Sequence, residues 1–257
     1  MFRLFRFVFK TVVLIKLMAF AFSAGMGAAY LVQLRSQYRS WGLVPGGNER
    51  GVAGDDLVAE ADLIETRAID IDAPPDQVWP WLAQLGYGRG GWYSFAAADR
   101  AWTPAGGPPS DSADTILEEF QDLAEGDLVP THPQGGFVAR TVEPNAALVL
   151  FLDDTMIREQ VDELMADATD AVEEQGGEMD LGVELDDMPP YRVTLAFELE
   201  ELPGERTLLV ERVRASVDVS ENQKRIRPAL AMGLFVFLKS QLEGIKQRAE
   251  SAVVIDA

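Results

Sequence analysis

The sequence has no cysteine and only one histidine, His132, in 257 residues. No disulfide, thiolate nucleophile or thiolate metal site can form, and one imidazole cannot build an ordinary zinc centre. His132 lies between Thr131 and Pro133 with no GxSxG context near it, so no Ser-His-Asp arrangement is supported and a turn residue is expected. The GxGRGG run at 86–91 is not a nucleotide loop, because no strand feeds it directly and no Lys-Ser/Thr pair follows. Lysine is scarce as well, with five against 17 arginines.

Carboxylates are abundant, and the formal net charge is −20. It is unevenly spread. Residues 1–50 carry seven Lys or Arg and only Glu49 as an acid, which leaves −26 on residues 51–257. So acidic a body argues against a nucleic-acid partner, since it has no basic surface to displace counterions from phosphate. Many carboxylates with few lysines fit halophilic adaptation, in which salt screens the repulsion between surface charges; a merely acidic surface is the alternative. The acidic pairs Asp55-Asp56, Glu118-Glu119, Asp153-Asp154, Glu173-Glu174 and Asp186-Asp187 lie mostly in polar stretches and read as solvated charge. No catalytic residue, metal site or cofactor is expected from these patterns.

One long hydrophobic run is present. Residues 11–34 contain Lys16 as their only charge, and the 18 uncharged residues from Leu17 to Leu34 would extend about 27 Å as a helix, near the thickness of a bilayer core. We expect a single-pass transmembrane anchor preceded by a basic flank at 1–10. A cleaved signal peptide ending near Gly27-Ala28-Ala29 is the competing reading, but the run is long and continues past that site. Arg3, Arg6 and Lys10 before the run, against Arg35 and Arg39 after it, slightly favour a cytoplasmic N-terminus.

Residues 35–60 read as a linker, or over 40–60 as a loosely attached arm, rich in glycine and without sustained period. A domain is expected over 61–252. Its first strand, "DLIETRAIDID", places Leu63, Ile69 and Ile71 on one parity, interrupted by Glu65 and Arg67. A helix follows Ala73-Pro74-Pro75, with Asp76 in its first turn and Val78, Trp79, Trp81, Leu82 and Leu85 at helical spacing up to Gly86. "GDLVPTH", "GGFVARTVEP", "NAALVLFLD", "YRVTLAFELEEL" and "TLLVERVRASVDV" read as strands joined by turns, hence an antiparallel meander. A long helix over about 223–251 ends the chain, and its segment 229–238, "ALAMGLFVFL", is apolar on all sides.

Three of these stretches, "TRAIDIDAPPDQVWPWLAQLGYGRGGWYSF", "SADTILEEFQDLAEGDLVP" and "FLKSQLEGIKQRAE", resemble the START-like helix-grip superfamily, also called SRPBCC. Among its members they are most like the prokaryotic polyketide cyclase- or dehydrase-like proteins with an N-terminal membrane helix. The resemblance covers roughly residues 55–152 and 190–251. It implies an α+β helix-grip fold, a curved antiparallel sheet wrapped around a long C-terminal helix with an apolar cavity between them. The ligand would then meet Trp79, Leu82, Phe197, Leu234, Phe237 and Leu238. Trp92, Tyr93 and Phe95 would flank the mouth beside Arg89, whose guanidinium is suited to a carboxylate or phosphate. The plainer alternative is that the aromatics fill a core and Arg89 is a surface arginine.

The segment 153–188 is longer than the crossing the resembling proteins usually make here. From Asp153 to Asp187 it holds 14 acidic residues and one arginine, with Met156, Ile157, Val161, Leu164, Met165, Ala168 and Val172 at helical spacing. It reads as a lid, as a surface for a protein partner, or as a solvated excursion. The function the resemblance implies is a membrane-anchored carrier or sensor of a hydrophobic, lipid-like molecule. The alternatives are an enzyme acting on a polyketide-like or isoprenoid-like substrate and a non-catalytic interaction module; fold does not choose among them.

Overall fold

Six alternating segments become six strands: β1 (Leu63–Ile71), β2 (Leu128–His132), β3 (Gly135–Glu143), β4 (Ala147–Asp153), β5 (Tyr191–Leu202) and β6 (Arg206–Val217). The helix α1 (Pro75–Ala83) follows β1, and α2 (Arg227–Val253) comes last. This computed structural model describes residues 41–43, 46–47, 49–94, 112–132, 135–159, 190–217 and 227–253. The chain divides into two compact units, Met1–Trp41 and Gly42–Ala257, and the second contains all of these strands and helices. No helix among the described residues is long and apolar enough to cross a membrane. The expected anchor at 11–34 lies outside the described residues, as does most of the acidic insertion.

The strands form one open antiparallel sheet in the order β1-β6-β5-β4-β3-β2. From β2 to β6 this is the expected meander. The pairing of β1 is not read from the sequence. β1 crosses to the far edge and joins β6 over nine rungs, from Leu63 opposite Ala215 to Ile71 opposite Thr207. His132 is the last residue of β2 rather than a turn residue, and its backbone pairs with Gly135 across an irregularity in register. The result is an α+β architecture compatible with a helix-grip.

Pro75 opens α1, where its missing N–H costs nothing, and Asp76 lies in the first turn. α1 stops at Ala83, three residues before Gly86. Its residues Val78, Trp79, Trp81, Leu82 and Ala83 are buried, and it contacts α2, β5 and β6. α2 runs against β1 and β6. Its buried stripe is Leu238, Gln241, Leu242, Ile245 and Ala249, and each fully buried leucine or isoleucine contributes about 1.5–3 kcal/mol. Toward its C-terminal end Lys246 Nζ donates to the Asp70 carbonyl at 2.7 Å, and Glu250 Oε1 accepts from the Asp72 amide at 2.8 Å.

The sheet is covered on its other face too. Part of the segment expected as a linker packs there. A short 3-10 turn, Asp55–Val58, follows Val52, which clusters with Val149 and Ala196. The buried Arg212 holds this arm through Nη1, which donates to Asp55 Oδ2 at 2.7 Å and to the Arg50 carbonyl at 2.9 Å. The Ala53 amide donates to Glu198 Oε1 at 2.7 Å.

Candidate functional site

Register sorts the polar residues of the sheet into two rungs. Thr66, Arg212, Ala196 and Val149 lie side by side and face the arm. One residue along, Arg67, Glu211, Phe197 and Leu148 share the opposite face, the one against α2. Arg67 and Glu211 are fully buried there, and Glu65, two residues before Arg67 on that face, is 4% exposed. Arg67 Nη2 donates to Glu65 Oε2 at 2.7 Å, and Nη1 donates to the Thr66 carbonyl. The guanidinium lies over the ring of Phe235 on α2, 5.2 Å from its centroid.

Glu211 is placed differently. Among the described residues, neither of its carboxyl oxygens meets a donor. Burial pushes its carboxyl well above the usual glutamate range, and the opposite charge of Arg67 only partly offsets this. On the buried stripe of α2, the amide of Gln241 is fully buried, and neither its oxygen nor its nitrogen finds a partner among the described residues. Leaving a buried polar group unmet costs about 1–3 kcal/mol, so two such side chains in the layer between the sheet and α2 call for an explanation. Among the described residues no three His, Asp or Glu side chains gather as a metal ion would require.

The residues singled out from the sequence fall into two groups. Trp79, Leu82, Phe197 and Leu238 are buried in the layer enclosed by the sheet, α1 and α2, while Leu234 and Phe237 are half-buried on α2. Val236, between these two, is 43% exposed. The second group lies on the glycine-rich loop. Gly86 and Gly91 close that loop by exchanging backbone hydrogen bonds of 3.1 and 3.0 Å, both at positive φ. Arg89, half-buried, donates to the carbonyls of Ala83 at 2.8 Å and Phe120 at 3.4 Å and lies over the Phe120 ring. Burial lowers its pKa, with Asp127 acting in the opposite sense. Trp92 is half-buried and meets Phe137 edge-on at 6.3 Å. Phe95 lies outside the described residues.

Tyr93 is the pivot of the loop. It is 2% exposed and adopts φ 55°, the left-handed region that few non-glycine residues occupy. Its hydroxyl accepts from Gln84 Nε2 at 2.8 Å, its ring meets Trp81 edge-on at 5.9 Å, and Arg248 of α2 lies 4.9 Å above it. Burial pushes the phenol up to about 12, against the pull of Gln84, Arg248 and Arg89, so it stays protonated. Gly244 makes this docking of loop on helix feasible, because a Cβ there would stand 2.0 Å from the Tyr93 carbonyl oxygen.

Glu65, Arg67, Glu211 and Gln241 were not among the residues singled out from the sequence. For the three strand residues the signal lies in the alternation. Glu65 and Arg67 occupy the apolar parity of β1, and Glu211 that of β6, in phase with Val213 and Ala215.

No family model matches the chain, and no curated protein is similar to it. Solved structures resemble it weakly. A Mesorhizobium loti protein is 17% identical over 73% of this chain and 98% of its own, with a TM-score of 0.31. A Mycobacterium smegmatis protein is 15% identical over 74% and 90%, at 0.33. A hypothetical protein from Helicobacter pylori is 10% identical over 78% and 96%, at 0.38. These are weak likenesses of fold alone.

Proposed function

We propose that the chain is a membrane-anchored binding or carrier protein of the START-like helix-grip (SRPBCC) kind, holding a hydrophobic, lipid-like small molecule between its sheet and α2. The observation that carries this reading is that two buried polar side chains, Glu211 and Gln241, have no partner among the described residues in the layer between the sheet and α2, where the neighbouring Glu65 and Arg67 satisfy each other. An interface serving stability alone gains more from apolar residues at such positions. A binding site needs a few placed polar groups in apolar surroundings. The expected anchor at 11–34 would hold the domain beside the source of such a ligand. Native mass spectrometry of the full chain after gentle extraction tests the reading. A co-purifying apolar molecule is expected. A bare mass in every preparation, with no uptake of added lipid, would overturn it.

A second reading, an enzyme on a polyketide-like or isoprenoid-like substrate, draws on Glu211 alone. Burial pushes the Glu211 carboxyl upward, toward the protonated form that a general acid takes. Under that reading E211Q keeps the bound molecule but no longer converts it, whereas a carrier shows no conversion in either form.

A further inference from the structure

Glu211 and Gln241 define more than a place for a ligand; they narrow what its polar end can be. Arg67 is already engaged by Glu65, by the Thr66 carbonyl and by the Phe235 ring. Its charge is matched by Glu65, so the cluster has no cation left over for a carboxylate or phosphate head. A cationic head would need Glu211 ionised, and two ions would then lose their water in an apolar layer, where desolvation rivals the Coulomb gain. A protonated carboxyl and a primary amide share one property, since each both donates and accepts. The group that satisfies them must do the same without carrying charge.

We propose that Glu211 from β6 and Gln241 from α2 together receive the uncharged hydrogen-bonding end, a hydroxyl or a carboxamide, of an otherwise apolar ligand. This rests on the ligand-binding reading above and specifies the head group it selects. Placement supports it. Phe235 of α2 covers Arg67, Glu211 is the next residue on that rung, and Phe197 follows with apolar surface for the ligand's body. Gln241 lies on the buried stripe of α2 between Leu238 and Leu242. Burial holds Glu211 toward its protonated, donating form.

Calorimetric titration of the full chain in lipid discs, with empty discs subtracted, tests this with four probes of one chain length: 1-octanol, octanamide, octanoate and octylammonium. Octanol and octanamide are expected to bind at least about tenfold more tightly than either ion, as one or two hydrogen bonds would give. E211L and Q241M should each weaken octanol about tenfold, while E211Q, which keeps a donor and an acceptor, should stay within about threefold. Q241M is close in volume to the native residue and serves should E211L not fold. Tighter binding of octanoate or octylammonium, or octanol binding unchanged in Q241M, would overturn the head-group assignment and leave the carrier reading standing. Failure of all four probes to bind would instead overturn the carrier reading.

Discussion

Glu211 is the least ordinary residue of the site, and its protonation has a consequence for stability. It is a carboxyl whose folded-state pKa is raised above its unfolded value of about 4.3. The stability it contributes is therefore fully present below that unfolded value and is lost as pH rises through the folded one. The charge that acts on it is Arg67, opposite it on β1 and itself paired with Glu65; β5 places Phe197 on that rung. Urea denaturation is expected to show the wild type losing stability relative to E211Q as pH climbs above the usual glutamate range. Parallel profiles would show that Glu211 is ionised throughout. The residue was legible as a break in a pattern. In β1 the polar pair Glu65-Arg67 stands out on the parity of Leu63, Ile69 and Ile71. In β6 the apolar parity draws the eye past Glu211, because one carboxylate in a strand reads as tolerable noise until register sets it beside Arg67.

At the level of elements, period-two alternation and helical spacing are enough to locate β1 to β6 and the helices α1 and α2 among the described residues. What joins them was less legible. Local pattern sets which face of a strand is apolar, but says nothing about which edge it meets, so the pairing of β1 with β6 had no local signal. The arm, described at 46–47 and 49–58, belongs to the segment 35–60 that its glycines and lack of period mark as a linker or a loosely attached arm. It is held by distant partners, above all Arg212 on Asp55 and on the Arg50 carbonyl. The loop carrying Tyr93 is similar. Its glycines announced a turn, but its seat on α2 depends on Gly244, 151 positions further along. G244A should force helix and loop apart and destabilise the domain by about 1–3 kcal/mol, the usual cost of overpacking. Thermal unfolding checks this, and an unchanged midpoint would mean that the approach of Tyr93 to the helix is looser than described.

For the molecule as a whole, charge is the dominant fact. Residues 51–257 carry a net −26 that already counts every lysine and arginine, so ion pairs such as Arg206 with Asp70 and Arg248 with Asp114 leave that excess of carboxylates unmatched. Screening should relieve the remaining repulsion. Raising potassium chloride from low to molar concentration is expected to lift the unfolding midpoint by about 5 °C, on the order of 1–2 kcal/mol for a domain of this size. A flat or falling midpoint would argue against salt adaptation.

Whether an apolar molecule with an uncharged polar end sits between the sheet and α2 can be read from where such a molecule cross-links. A twelve-carbon primary alcohol carrying a diazirine at mid-chain, photolysed with the full chain in lipid discs, reports its location directly. Adducts are expected on β5, β6 and residues 234–242, and they should be lost when unlabelled 1-dodecanol competes. Adducts confined to residues 11–34, or adducts that excess 1-dodecanol does not reduce, would contradict the proposed site.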